Sequence, residues 1–186
     1  MRAKYMGRTN WGVVCFTERL NNRRMWEEYA DHMRGAVVEF DLTGVRIPEM
    51  TFFKVRYSEE RGGASLVDVL ASREEGEFSE VLTYKPPKWA HEEEWRLLAN
   101  LEELKENHPY LIREINVKHG GVVVGLKLPI SRVILGPTLT ADDKNQIVNA
   151  MVYNGKPKLA ELAPGSSSDT FILHDIFTGS KQITLV

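Results

Sequence analysis

The sequence predicts an α+β protein, a single domain over residues 1–186 with mixed, mostly antiparallel sheets and two principal helices. Three observations predict it. Short apolar, β-branched runs recur along the whole chain, punctuated by Gly, Pro and Asn, which is the pattern of many short strands. Two stretches, 23–34 and 141–153, carry an apolar stripe at helical spacing behind a capping residue. The length of 186 residues, 42% of them apolar, suits one core of ordinary size.

In chain order, Gly12–Thr17 reads as a short buried strand behind a polar N-terminal stretch. Asn21 or Asn22 caps a helix over Arg23–Arg34, in which Met25, Trp26, Tyr29, Ala30 and Met33 form one stripe, and Gly35 stops it. Ala36–Asp41 is a second strand, and strand, helix and strand make a βαβ unit if the two strands are parallel. Met50–Tyr57 is a third strand. A short helix is expected over Ser65–Ser72, and an extended segment over Phe78–Tyr84 that Pro86 and Pro87 end. Glu94–Ala99 is a strand, and Leu101–His108 is helix-capable. Tyr110–Val117 and Val122–Leu128 flank the turn signal Gly120-Gly121, and Ser131–Leu135 is another strand. Thr140 caps the helix over Ala141–Tyr153. Lys158–Leu162 is a strand or turn, and Thr170–Ile176 with Gln182–Val186 forms a terminal hairpin.

A formal net charge of −2 with 27% charged residues argues against a dedicated nucleic-acid coat, although a local basic patch is compatible with it. Cys15 is the one cysteine, so no intrachain disulfide forms. Nothing at the N-terminus reads as a secretory signal, and no apolar run approaches the roughly 20 residues of a membrane span. The expectation is a cytoplasmic protein with no membrane partner.

The chemistry-bearing residues concentrate in Lys85–Arg96, which holds two tryptophans, Glu92, Glu93 and Glu94, and His91. If the second half is extended, Glu92 and Glu94 point to one side, and their repulsion raises at least one pKa. The alternative is a solvated acidic turn before a strand. Thr17 and Glu18 end the first strand and place a hydroxyl where a carboxylate pair from another strand can meet it. Trp26 and Tyr29 each need a partner for a ring N–H or O–H, so one of them is expected to face a cleft. Arg19, Arg23 and Arg24 offer a phosphate contact or a solvated basic face. Cys15, mid-strand in an apolar run, reads as a buried, inert thiol. The five histidines lack metal-ligand spacing, so no metal is expected.

Two patches together resemble a known family. The first is Cys15-Phe16-Thr17-Glu18, then Met25-Trp26, Tyr29-Ala30, His32, Gly35 and Glu39-Phe40. The second is Lys85, Trp89, Glu92 and Glu94-Trp95-Arg96. Val133–Gly136 before a helix is a third. The pattern, over about Gly12–Ile147, is similar to the bacterial family called domain of unknown function 2971. Members of that family begin with a tyrosine-containing strand and an Asn-Asp-Pro-Phe loop, which this chain lacks, so it resembles a shortened member. The family implies no activity of its own.

A looser likeness is to ADP-ribosyltransferases, on the E-x-E run Glu92-Glu93-Glu94. That likeness implies NAD as the substrate of an ADP-ribosyltransferase or NAD glycohydrolase, active or degenerate, and the accompanying expectation is a role in phage–host conflict. Glu94 would stabilise an oxocarbenium-like ribose as nicotinamide leaves. Glu92 would act as general base on a protein or nucleic-acid acceptor. Thr17 would stand in for the family's serine, and Trp26, Tyr29, Arg96 and Trp89 would hold the dinucleotide. The first-strand arginine or histidine of that family has only Arg2 and Arg8 as counterparts. The competing expectation is a non-enzymatic module that binds protein or nucleic acid on the same scaffold, with Lys85 and Arg96 neutralising the glutamates. An enzyme requires the acidic run and the tryptophan helix to line one hollow.

Overall fold

The structure, a computed structural model, describes residues 11–60, 82–117, 121–152, 157–166, 170–175 and 179–184. The fold is α+β with mixed, mostly antiparallel sheets. The chain forms two compact units, each from two separated lengths: Met1–Arg19 with Arg46–Lys127, and Leu20–Val45 with Leu128–Val186.

The first unit is built on an antiparallel sheet of order β1 (Trp11–Thr17), β6 (Glu94–Asn100), β3 (Met50–Lys54). The register sets Thr17 opposite Glu94, Cys15 opposite Arg96, and Phe53 opposite Arg96 from the other side. Side chains alternate along a strand, so Thr17, Cys15, Glu94 and Arg96 share one face. Trp95, Phe16 and Phe52 share the other, where the Phe16 and Phe52 rings lie 6.4 Å apart. Helix α2 (Leu101–Asn107) follows β6 directly, and the Asn100 side chain caps it by accepting from the Glu103 N–H. It buries Leu104 completely, and Leu97 and Ala99 are equally enclosed. Burying such a leucine stabilises the fold by roughly 1.5–3 kcal/mol. A parallel two-strand ribbon, β4 (Arg56–Tyr57) with β5 (Tyr84–Lys85), and a hairpin, β7 (Ile112–Val117) with β8 (Gly121–Leu126), complete the described part of this unit.

The second unit is a five-stranded sheet of order β12 (Gly179–Thr184), β11 (Thr170–Asp175), β10 (Lys158–Pro164), β9 (Ile130–Leu135), β2 (Ala36–Phe40). Helix α1 (Arg23–Tyr29) supplies Trp26 to one core, with Ile134, Ala160, Leu162, Phe171 and Leu173. Helix α3 (Ala141–Val152) brings Met151 and Ile147 to a second core with Val133, Leu135 and Leu159. The alternation of Ile134 with Val133 and Leu135 therefore gives β9 two buried faces, as its unbroken apolar run requires. β9 and β10 are parallel, joined through α3, so the βαβ unit lies here. The βαβ unit expected from β1, α1 and β2 does not form: β1 pairs with β6, and β2 pairs antiparallel with β9.

Helix α1 also stops earlier than its stripe predicts. Asn22 caps it, accepting from the Met25 N–H at 3.2 Å. After Tyr29 the chain turns left-handed at Asp31, His32 and Met33, with φ of 47°, 53° and 67°. Met33 N–H then donates to the Trp26 carbonyl, and Gly35 N–H to that of Ala30. This turn carries Met33 into the core without a third helical turn. It also fixes the need for glycine at 136: a Cβ there would lie 2.1 Å from the Met33 carbonyl oxygen.

The short helix expected over 65–72, most of the extended segment over 78–84, and the candidates Arg2 and Arg8 lie outside the described residues.

Candidate functional site

Lys85–Arg96 folds as β5, a 3₁₀ turn over Pro87–Glu92, and the start of β6. Pro86 is extended (φ −58°, ψ 145°), and Pro87 opens the turn at a position where no backbone donor is needed. Glu93 is left-handed, with φ 44° and ψ 50°, and its N–H closes the turn on the Ala90 carbonyl. The expectation that Glu92 and Glu94 share a side through strand alternation is corrected here. Glu92 ends the 3₁₀ turn, Glu93 reverses the chain, and Glu94 opens the strand. The two carboxylates still converge, because the Lys85 ammonium bonds both.

Both carboxylates are buried, with Glu92 3% and Glu94 4% exposed. Glu94 is held on every side. Arg96, two residues along the same strand face, donates from Nε to Oε1 at 2.8 Å and from Nη2 to Oε2 at 3.2 Å. Lys85 Nζ reaches Oε2 at 3.1 Å. The Glu94 backbone N–H donates to the Tyr57 hydroxyl at 2.8 Å. Arg96 is itself anchored by a bond to the Leu82 carbonyl. Burial pushes the Glu94 carboxyl up, but the bonds from Arg96, Cys15 and Lys85 together outweigh it and hold the pKa at about 2. The repulsion expected to raise a carboxylate pKa is therefore not what governs Glu94: two cations against two carboxylates neutralise the cluster.

Thr17 lies across the strand pair from Glu94, and its buried Oγ1 has no hydrogen-bond partner among the described residues. Cys15 is exposed, not buried as its apolar run suggested. Its reactivity is nonetheless suppressed, because partial burial and the hydrogen bond and charge of Glu94 push the thiol up to about 11. Trp89 is half-buried on the turn, with the ammonium of Lys85 at 5.0 Å and that of Lys88 at 5.4 Å from its ring centre. Thus Thr17, Glu92, Glu94, Arg96 and Trp89 are gathered in the first unit, around Lys85.

Trp26 and Tyr29 belong to the second unit. Trp26 is 1% exposed and donates its indole N–H to the Leu20 carbonyl at 2.8 Å. It is a core residue with no ring face to offer a dinucleotide, which corrects its expected part in holding one. Tyr29 is on the outside of α1, 62% exposed. The three arginines expected to offer a phosphate contact are each in an ion pair: Arg19 with Glu93 at 2.8 Å, Arg23 with Glu27 at 2.8 Å and Arg24 with Glu28 at 2.7 Å.

Sequence reasoning missed Tyr57 and the involvement of Cys15. Tyr57 reaches Glu94 where the chain runs on from β3 past Val55, whose N–H donates to the Glu94 carbonyl at 2.9 Å, and β4 itself is a two-residue strand that leaves no periodic signal. Cys15 was legible in principle, since it alternates with Thr17 on the same strand.

No helix among the described residues is long and apolar enough to cross a membrane. No curated protein and no solved structure matches the chain. The Cys15–Glu18 and Val133–Gly136 patches of the sequence pattern fall outside the stretch that a family model matches. Over residues 25–97, which include the whole Lys85–Arg96 run, the chain matches the model of the family described as protein of unknown function (DUF2971), the family its residue pattern resembles.

Proposed function

We propose that this chain is a cytoplasmic, non-enzymatic binding module whose partner is a protein or a nucleic acid. In this reading the Glu92–Glu94 pair is a structural clamp. The observation that carries it is the saturation of Glu94: both carboxylate oxygens already accept bonds from Arg96 and Lys85. A carboxylate that is to stabilise an oxocarbenium ion must present its charge to the ribose, and here that charge is spent on two protein cations. Glu92 would have to give up the Lys85 ion pair before taking a proton as a general base. What the clamp holds in place is the proline-started 3₁₀ turn that carries Trp89, Lys88 and His91. Rigid aromatic and cationic side chains on a preorganised turn are favourable contact residues, since little entropy is lost when they bind.

The test is incubation with NAD and measurement of released nicotinamide, comparing the wild type with Glu94→Gln. The expected result is no turnover in either. Turnover in the wild type that Glu94→Gln abolishes would overturn the reading.

One observation favours a second reading, an NAD-consuming, ADP-ribosyltransferase-like site, and with it a role in phage–host conflict. Thr17 Oγ1 is buried, lacks a partner among the described residues and sits opposite an ionised Glu94, which is where a ligand hydroxyl would find both. On this reading Lys85 must leave the carboxylates when the dinucleotide binds.

A further inference from the structure

The 3₁₀ turn over Pro87–Glu92 is more positive in the fold than its sequence suggests. The run Lys85–Arg96 sets the cations Lys85, Lys88 and Arg96 against Glu92, Glu93 and Glu94, so by composition it is neutral. In the fold Lys85 and Arg96 are committed to Glu92 and Glu94. Glu93 is taken by a cation from outside the run, Arg19 just after β1, at 2.8 Å. The surplus charge falls on Lys88, which is exposed and has no carboxylate partner among the described residues. Its ammonium lies instead 5.4 Å from the centre of the Trp89 ring. The His91 imidazole stands 6.1 Å from the same ring, tilted by 32°. His91 Nδ1 donates to the Lys88 carbonyl at 3.2 Å, which fixes the imidazole on the turn. On the β4–β5 ribbon that leads into the turn, Arg56 likewise has a ring for a neighbour and no carboxylate partner among the described residues. Its guanidinium lies 5.2 Å from the Tyr84 ring centre and donates to the Tyr84 hydroxyl at 3.3 Å. It adds a second unneutralised charge to the same ribbon, on the side away from Lys85.

Resting on the binding-module reading above, we propose that the Lys88–Trp89–His91 turn is a contact site for single-stranded nucleic acid, in which Trp89 takes the face of a base and Lys88 the adjoining phosphate. An indole face stacks on any base, because every base has a π-face. An ammonium without a carboxylate partner meets a phosphate and gives up no ion pair to do so. The bases of a duplex are stacked inside it and offer Trp89 nothing. An acidic peptide answers Lys88 but brings no flat ring to Trp89, so the two groups together favour a nucleotide. The turn is set before anything binds. Pro87 and the left-handed Glu93 fix its backbone, and Lys85 holds its ammonium 5.0 Å from the Trp89 ring centre while bonded to Glu92 and Glu94. Little freedom is therefore lost on contact. The formal net charge of −2 keeps the contact short and sensitive to salt.

The test is fluorescence anisotropy of labelled oligothymidylate and oligouridylate, each about twelve nucleotides long, titrated with the full chain from about 20 to 150 mM salt. The wild type is expected to bind at least one of them, more weakly as salt rises, and to bind a duplex of the same length less well. Trp89→Ala should weaken binding about tenfold, and Trp89→Phe should restore most of it. Lys88→Gln should lower the slope of log affinity against log salt by about 0.7, the share of one single-strand phosphate contact. No binding of either oligonucleotide at the lowest salt, equal affinity for the duplex, an affinity unchanged by Trp89→Ala or a slope unchanged by Lys88→Gln would each overturn the assignment. Should Trp89→Ala disturb the turn, Lys88→Gln, at an exposed position, carries the comparison. Nicotinamide release by the wild type, lost in Glu94→Gln, defeats the binding module itself. Absence of both nicotinamide release and oligonucleotide binding defeats the nucleic-acid partner alone and leaves a protein in its place.

Discussion

Arg96 grips Glu94 with two arms of its guanidinium, Nε on one carboxylate oxygen at 2.8 Å and Nη2 on the other at 3.2 Å, from two positions along the same strand. That arrangement needs the strand alternation of β6 to put both residues on one face, and it commits Glu94 before any ligand arrives. Lys85 then adds a second cation and ties Glu94 to Glu92. The site is a closed electrostatic unit, and most of what can be tested follows from that closure.

Removing Lys85 should be costly, because its ammonium is what joins Glu92 to Glu94. Lys85→Met leaves two buried carboxylates with one cation between them. Breaking a buried pair from one side costs about 3–5 kcal/mol. Denaturant unfolding should show a loss near the lower end, since the lysine side chain is 21% exposed.

Acid should unfold the first unit partly through Glu94. Its carboxyl lies at about 2 in the folded protein against an ordinary value of 4.5. The folded value is the lower one, so the stabilisation is complete above about pH 4.5 and is lost as pH falls towards 2. Urea midpoints measured at several pH values should fall in this window for the wild type, with a shallower fall in Glu94→Gln.

Cys15 should react slowly despite its exposure. Its thiol is raised from 9.0 to about 11, so at neutral pH the thiolate is about a hundredfold scarcer than that of an ordinary cysteine. Maleimide labelling at pH 7.5 should be at least tenfold slower than for a free thiol, and Glu94→Gln should speed it up.

The residues that made these contacts legible from sequence are those with a local pattern. The strand over Gly12–Thr17, the strand from Glu94, the Asn22 cap and the α3 helix all follow from periodicity and capping, and the structure has them. Glu92 and Glu94 stood out because two carboxylates beside tryptophans have little packing value. What failed depended on remote partners. The strand Ala36–Phe40 gives no sign that its neighbour is β9, nearly a hundred residues on, so a local βαβ unit was the natural and mistaken reading. Trp26 has the same sequence signature whether it lines a cleft or fills a core, and the surrounding Ile134, Leu162 and Phe171 decide for the core. The left-handed turn at Asp31–Met33 broke a helical stripe that otherwise ran to Arg34, and none of those three residues is glycine.

That turn is strained and should be improvable. His32 is exposed and sits at φ 53°. A left-handed conformation costs a non-glycine residue roughly 1–2 kcal/mol. His32→Gly should therefore stabilise the second unit by about 1 kcal/mol after its own entropy cost, and His32→Val should destabilise it. Thermal unfolding of the two variants checks both signs.

The most direct measurement is the unfolding free energy of Glu94→Gln. If Glu94 is a structural anion, the isosteric neutral amide leaves Arg96 and Lys85 undercompensated, and the loss should be about 3 kcal/mol or more. If Glu94 is instead held against the interest of the fold for chemistry, the replacement should leave stability unchanged or raise it, and that result would contradict the clamp.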